Sequence, residues 1–274
     1  MRMTTQLLAA SLVAATGGDY PAAVGKWRQE YEARLKAEDG WLSVAGLFWL
    51  HEGSNRVGSD PASDIVLPKS APKNAGVIEF HAGHAMLHLK ELRGKELKAD
   101  VDIEKIGNLQ LQAIKRGQRH GVRLRDPDSA ARREFSGLRW FPVNEKYRVK
   151  AKFVPYEPPK TIPITNVLGD TEPEKCPGYV EFTLNGHPYR LEPVIEEPNE
   201  LFFIFRDLTS ERESYGSGRF LKSEMPKNNE VILDFNKAYN PPCAFTAFAT
   251  CPLPPRQNRL ALRIEAGEKR YGKH

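Results

Sequence analysis

Arg206, Asp207, Tyr215, Arg219, Asp234, Asn236, Tyr239, Asn240 and Cys243 crowd into one stretch of a 274-residue chain. Two arginines can fork onto a carboxylate or phosphate. Tyr215 and Tyr239, with Phe245 and Phe248, can wall a pocket, while the carboxylates and amides fix polar groups. A site for a small anionic or polar ligand is therefore the first expectation, with Arg206, Tyr215, Arg219, Asn236, Tyr239 and Asn240 as its binding residues. The same residues allow a hydrolase-like enzyme. Cys243 would be its nucleophile, activated by a nearby cation such as Lys237 or Arg219. Asp207 and Asp234 could share acid and base work if their surroundings separate them. Against the enzyme, no histidine lies between His187 and His274 to serve as a base. Each residue also has a plain structural role open to it. Either arginine could pair with Asp207 or Asp234, Asp207 with Thr209 could hold a turn, and Cys243 could be a small buried hydrophobe.

Two apolar runs must carry these groups. Leu201–Phe205 reads as a buried strand and ends in Arg206-Asp207; Val231–Leu233 reads as another and ends in Asp234. If the two are neighbours, their polar ends open on one side. Five prolines stiffen the segment from Asn240 to Asn258. Between them, Cys243–Cys251 alternates as a short strand would and is expected to close the pocket as a wall. Eight extended residues span roughly 26 Å at about 3.3 Å each, whereas a disulfide needs Cα atoms within about 7 Å. Cys243 and Cys251 are therefore expected apart unless the chain folds back between them.

The rest of the chain predicts a mainly β protein, an antiparallel sandwich or barrel-like fold with one N-terminal helix. The helix is expected over Pro21–Glu38, where Val24, Trp27, Tyr31 and Leu35 recur at spacings of three and four. Trp41-Leu42 and Val44–Leu50 come next as a strand or tight corner. Alternating runs at Val77–Phe80, Ala85–Leu89, Glu96–Ile103, Leu109–Ile114 and Gly121–Arg125 predict a meander. Tyr147–Val154, Ile162–Ile164, Tyr179–Leu184 and His187–Leu191 predict further strands, the last two joined by an Asn185-Gly186 hairpin turn. A boundary near residue 128 would separate residues 19–128, the helix and meander, from residues 129–274, which carry the chemistry-bearing stretch. The two could equally form one continuous domain.

Composition narrows the partners. A net charge of +5 permits an anionic ligand without demanding nucleic acid. The basic stretch Lys115–Arg139 lacks the interleaved aromatics of a single-strand binder. No metal or cofactor is expected. The acidic and amide residues match no cation-binding loop, and there is no Gly-rich phosphate loop, Cys-x-x-Cys pair or Ser-centred elbow. Residues 1–18, with Arg2 before the apolar run Leu7–Ala15, form a possible signal segment. That would place the protein in the periplasm or outside the cell, and otherwise it is cytoplasmic. No other run is long and apolar enough for stable membrane insertion.

Arg206-Asp207-x-Thr209, Tyr215-Gly-x-Gly-Arg219-Phe-Leu, Asn240-Pro-Pro-Cys-Ala-Phe-Thr246 and Cys251-Pro-Leu-Pro-Pro255 together resemble a bacterial and archaeal family, domain of unknown function 1684. Gly40–Leu50, Val57–Asp60 and Phe135–Pro142 fit the same pattern. The resemblance implies one recurrent architecture and no particular activity.

Overall fold

The structure, a computed structural model, describes residues 20–89 and 92–272. The signal segment read in residues 1–18 lies outside them. The chain opens with helix α1 (Tyr20–Lys36), which buries Val24, Tyr31 and Leu35 along one face. A single 3-10 turn at Trp41–Ser43 then leads into the first strand. The N-terminal strands are β1 (Val44–Trp49), β2 (Gly53–Gly58), β3 (Ile65–Val66), β4 (Gly76–His81), β5 (His84–Leu89), β6 (Leu92–Glu96), β7 (Ile103–Ile106), β8 (Leu109–Arg116) and β9 (Arg119–Arg125). They form two sheets, ordered β1-β9-β8-β7 and β3-β2-β4-β5-β6. Pairing is antiparallel throughout except between β2 and the two-residue β3. Val57, Ile78 and Leu87 from one sheet meet Leu109, Val122 and Leu124 from the other, so the two pack face to face.

After the short helix α2 (Ala130–Arg133) come β10 (Arg148–Thr165), β11 (Thr171–Leu184), β12 (His187–Leu191), β13 (Glu200–Phe205), β14 (Arg219–Glu224) and β15 (Glu230–Asp234). The order β12-β11-β10-β15 makes one sheet, and β13-β14 makes a hairpin beside it. A second core of Phe153, Val180, Phe182, Leu201, Phe203, Phe205, Leu221 and Leu233 fills the space between them, with Leu260–Ala266 closing one side. The architecture is mainly β, antiparallel and sandwich-like, with one long N-terminal helix.

Three expectations change in detail. A single strand at Glu96–Ile103 does not form, because Asp100 takes a positive φ of 60° and turns the chain between β6 and β7. The runs at Tyr147–Val154 and Ile162–Ile164 are one strand, β10, whose pairing with β11 slips between Pro155 and Lys160 where prolines remove donors. The segment Cys243–Cys251 is not a wall strand. It is a 3-10 turn at Pro242–Ala244 followed by further turns, so the chain folds back on itself.

Candidate functional site

The residues singled out from the sequence separate into four neighbourhoods. In the first, Arg219 at the start of β14 is fully buried and pairs with Asp207, just past β13, at 3.0 Å. Its guanidinium also donates to the carbonyls of Ile264 (3.0 Å) and Ala266. Asp207 accepts from the Thr209 hydroxyl at 2.9 Å and from the Ile264 amide at 2.8 Å. Gly218 makes this approach possible: at φ +101°, a Cβ there would lie 2.5 Å from the Phe205 carbonyl oxygen. Both groups are consumed by the fold, so neither can reach a ligand. Arg206 points the other way and pairs with Glu211 near the surface.

The second neighbourhood ties α1 to the end of β15. The Tyr20 hydroxyl donates to Asp234 at 2.6 Å and accepts from the Asn236 amide at 2.9 Å. Burial and the Asp234 carboxylate push the Tyr20 phenol above its ordinary range. Asn236 also accepts from the Asn144 amide and donates to the Asn144 carbonyl, both at 2.9 Å. Lys237, a candidate cation for Cys243 on sequence grounds, lies instead 3.6 Å from Asp234. Asp234 and Asn236 therefore anchor the helix and face neither Asp207 nor Cys243. Tyr20→Phe is expected to cost about 1–3 kcal/mol, because it leaves the buried Asp234 carboxylate short of a donor. Urea unfolding measures this, and a loss within error of zero would mean that the helix anchor is idle.

The third is a cleft of about 390 Å³ between α1 and the proline-rich segment. Tyr31, Trp41, Tyr239 and Phe245 wall it, Pro242 and Leu35 complete its apolar surface, and Arg34, Asp39 and Asn240 supply polar groups. Tyr31 and Tyr239 lie 5.2 Å apart, centroid to centroid. Arg34 sits on the exposed face of the helix, 6.0 Å over the Tyr31 ring, and makes no ion pair among the described residues. Beneath the cleft, Asn240 is fully buried. Its backbone and side-chain amides donate to Glu268 at 2.8 and 2.7 Å, and its Oδ1 has no partner among the described residues. Glu268 is completely enclosed, and burial pushes its carboxyl up to about 8. Gly267 lets this turn pass: at φ +78°, a Cβ there would stand 2.5 Å from the Ala238 carbonyl oxygen.

The fourth brings the two cysteines together. The Cys243 amide donates to Cys251 Sγ at 3.1 Å, and the Cys251 amide donates to Cys243 Sγ at 3.4 Å. Tyr215 stands beside both thiols, and its phenol is raised by burial and by them. Arg123, on β9, lies behind the pair with its guanidinium 4.9 Å over the Trp41 ring.

Of the predicted residues, Tyr239, Asn240 and Phe245 line the aromatic cleft, Phe248 lies exposed outside it, and only Tyr215 joins Cys243. The single concavity expected from the two strand ends does not form, because β13 pairs with β14 while β15 pairs with β10. Tyr31 and Arg34 carried a helix signal that hid their place in the lining of the cleft. Arg123 and Arg125 had a legible clue: two arginines two positions apart on a strand share one face, and here both lie over Trp41. Nothing in the residues around Glu268 marks it. A larger depression of about 1090 Å³ spreads over the outer face of β10, β11, β12 and β15, lined by Lys150, Lys152, Glu181 and Arg190. It is an open, solvated sheet surface. Among the described residues no cluster of three or more His, Cys, Asp or Glu could hold a metal ion, and no helix is long and apolar enough to cross a membrane.

Fold and site together define a mainly β protein whose two sandwich-like sheet pairs meet beneath an N-terminal helix, with an aromatic cleft at the foot of that helix. The chain belongs to the family described as "Protein of unknown function (DUF1684)", whose model matches residues 133–269. The match takes in Tyr239, Asn240, Pro242, Phe245 and both cysteines of the pair, whereas Tyr31, Arg34 and Trp41 precede it. Among solved structures, the chain is similar to an uncharacterized protein of Haloarcula marismortui determined by solution NMR. The two are 33% identical over 52% of this chain and 81% of that one, with a TM-score of 0.44. No curated protein matches the chain.

Proposed function

We propose that the protein binds a small polar ligand carrying a ring-shaped face and an acidic group in the cleft between α1 and the proline-rich segment. The observation that carries this is the pairing of an aromatic-walled cleft with Arg34, a guanidinium that makes no ion pair among the described residues. Flat aromatic walls favour stacking of a sugar or heteroaromatic ring. Arg34 suits a carboxylate or phosphate, and Asp39 at the same rim suits a hydroxyl or amine donor. Pro241 and Pro242 stiffen the turn that carries Phe245 before any ligand arrives, which lowers the cost of ordering on binding.

A screen of anionic metabolites and sugar acids by thermal shift, followed by calorimetry, tests this. A hit should bind Arg34→Ala roughly tenfold to a hundredfold more weakly, as expected for loss of one charge-assisted contact. Phe245→Ala should weaken it as well. Equal affinity in both variants would remove the cleft from consideration. The hydrolase-like alternative has less support. Asp207 and Asp234 are engaged in the fold, and the neighbours of Cys243 are a second thiol, a phenol and an arginine rather than a base.

A further inference from the structure

We propose that Cys243 and Cys251 form a redox-active dithiol that reduces a small disulfide, with Cys243 as the attacking thiol, Cys251 as the resolving thiol and Arg123 as the cation facing the thiolate. The chain reverses after the Pro242–Ala244 turn and sets two cysteines eight positions apart against each other. Each sulfur receives a backbone N–H from the other residue, at 3.1 and 3.4 Å. Such donors favour a negative sulfur.

The second observation is Arg123. It is 3% exposed, and its Nε and one terminal nitrogen have no hydrogen-bond partner among the described residues. A buried guanidinium without a carboxylate is costly, and stacking on Trp41 leaves its charge uncompensated. Arg116 and Arg125 add repulsion, which Asp100 and the Cys251 sulfur partly offset. Its field reaches both sulfurs. A thiolate at Cys243 supplies the anion that the arrangement lacks.

The two thiols are unequal in the way that exchange requires. Cys243 is half-buried and reachable, while Cys251 is 5% exposed. The hydrogen bond from the Cys251 thiol lowers Cys243 and raises Cys251. The phenol of Tyr215, which also stands against the pair, is raised by burial and by Cys243. Cys176 is of a different kind. It is fully buried, its thiol donates to the Gly178 carbonyl, and burial pushes it up to about 11.

The chemistry balances without a metal or cofactor. The Cys243 thiolate attacks one sulfur of R–S–S–R, forming a mixed disulfide and expelling RS⁻, which takes a proton from water. Cys251 then loses its proton and attacks the Cys243 sulfur, closing the Cys243–Cys251 bridge and expelling the second RS⁻. Two electrons pass from the protein to the substrate, giving two RSH. A thiol reductant reverses the sequence and restores the dithiol.

The test uses the full chain and glutathione disulfide. Native protein should lose two alkylatable thiols as a Cys243–Cys251 bridge, seen by peptide mass after iodoacetamide, and dithiothreitol should restore both. Cys251→Ala should stop at a mixed disulfide on Cys243. The pH midpoint of Cys243 alkylation should lie below the ordinary cysteine value of about 8.5 and move up toward it in Arg123→Met. Should Arg123→Met fail to fold, the upward move in Cys251→Ala reads the same stabilisation from its other partner. A midpoint at or above the ordinary value, or a bridge that forms only in unfolded protein, would overturn the proposal.

Discussion

Arg219→Ala is expected to lose about 3–5 kcal/mol of folding stability, the usual consequence of removing one member of a buried ion pair. The groups left behind set the size. Asp207, itself 4% exposed, would be left with only the Thr209 hydroxyl and the Thr209 and Ile264 amides as donors. The carbonyls of Ile264 and Ala266 would lose their donor at the same time. Those carbonyls belong to the segment that closes the second core, so the damage reaches Leu260–Ala266 as well as the β13–β14 hairpin. Urea unfolding with far-ultraviolet circular dichroism measures the loss. The double variant Arg219→Met/Asp207→Leu should recover part of it, because an apolar pair carries no stranded charge. A loss below about 1 kcal/mol would be the behaviour of an exposed pair and would contradict the burial of Arg219.

The β elements were legible because apolar alternation and Asn-Gly turn chemistry act locally. Asn185-Gly186 does join β11 to β12, with both residues at positive φ. Helix α1 matched its periodic pattern to within two residues at each end. The site was less legible because strand order is set by long-range pairing. Leu201–Phe205 and Val231–Leu233 read alike as buried runs ending in charge, yet one belongs to a hairpin and the other to the edge of the β10 sheet. Their polar ends take different partners, Arg219 for Asp207 and Tyr20 for Asp234, so the two carboxylates serve separate anchors. The alternation in Cys243–Cys251 misled for a related reason. Prolines at 241, 242 and 252 favour turns as much as extension, and the apolar residues of a compact turn need no strand to be buried. The spacing of Arg123 and Arg125 marked a shared strand face but not its burial, and Glu268 gains its character only from burial, which no local pattern encodes.

Folding stability is expected to fall as pH rises from about 5 to about 8, and Glu268 is the cause. Its carboxyl is completely enclosed, with Asn240 supplying both hydrogen bonds, and burial lifts it from its ordinary value of 4.5 to about 8. In the unfolded chain the same group ionises near its ordinary value. Between the two values the unfolded state releases a proton that the folded state retains. The folded state binds more protons there, so the free energy of unfolding decreases with pH. The slope approaches about 1.4 kcal/mol per pH unit, and the whole interval amounts to the order of 4 kcal/mol. Below about 4.5 the contribution is fully present, and above about 8 it has been lost. Glu268→Gln keeps the shape and an acceptor for Asn240 but cannot ionise. It should cost about 1 kcal/mol at pH 5 for one hydrogen bond lost, show little slope through this range, and exceed the wild type in stability at pH 8.5. Urea unfolding at half-unit steps from pH 4.5 to 9 gives both curves. Parallel curves for the two proteins would assign the slope to other groups and return Glu268 to an ionised carboxylate held by Asn240 and the field of Arg219.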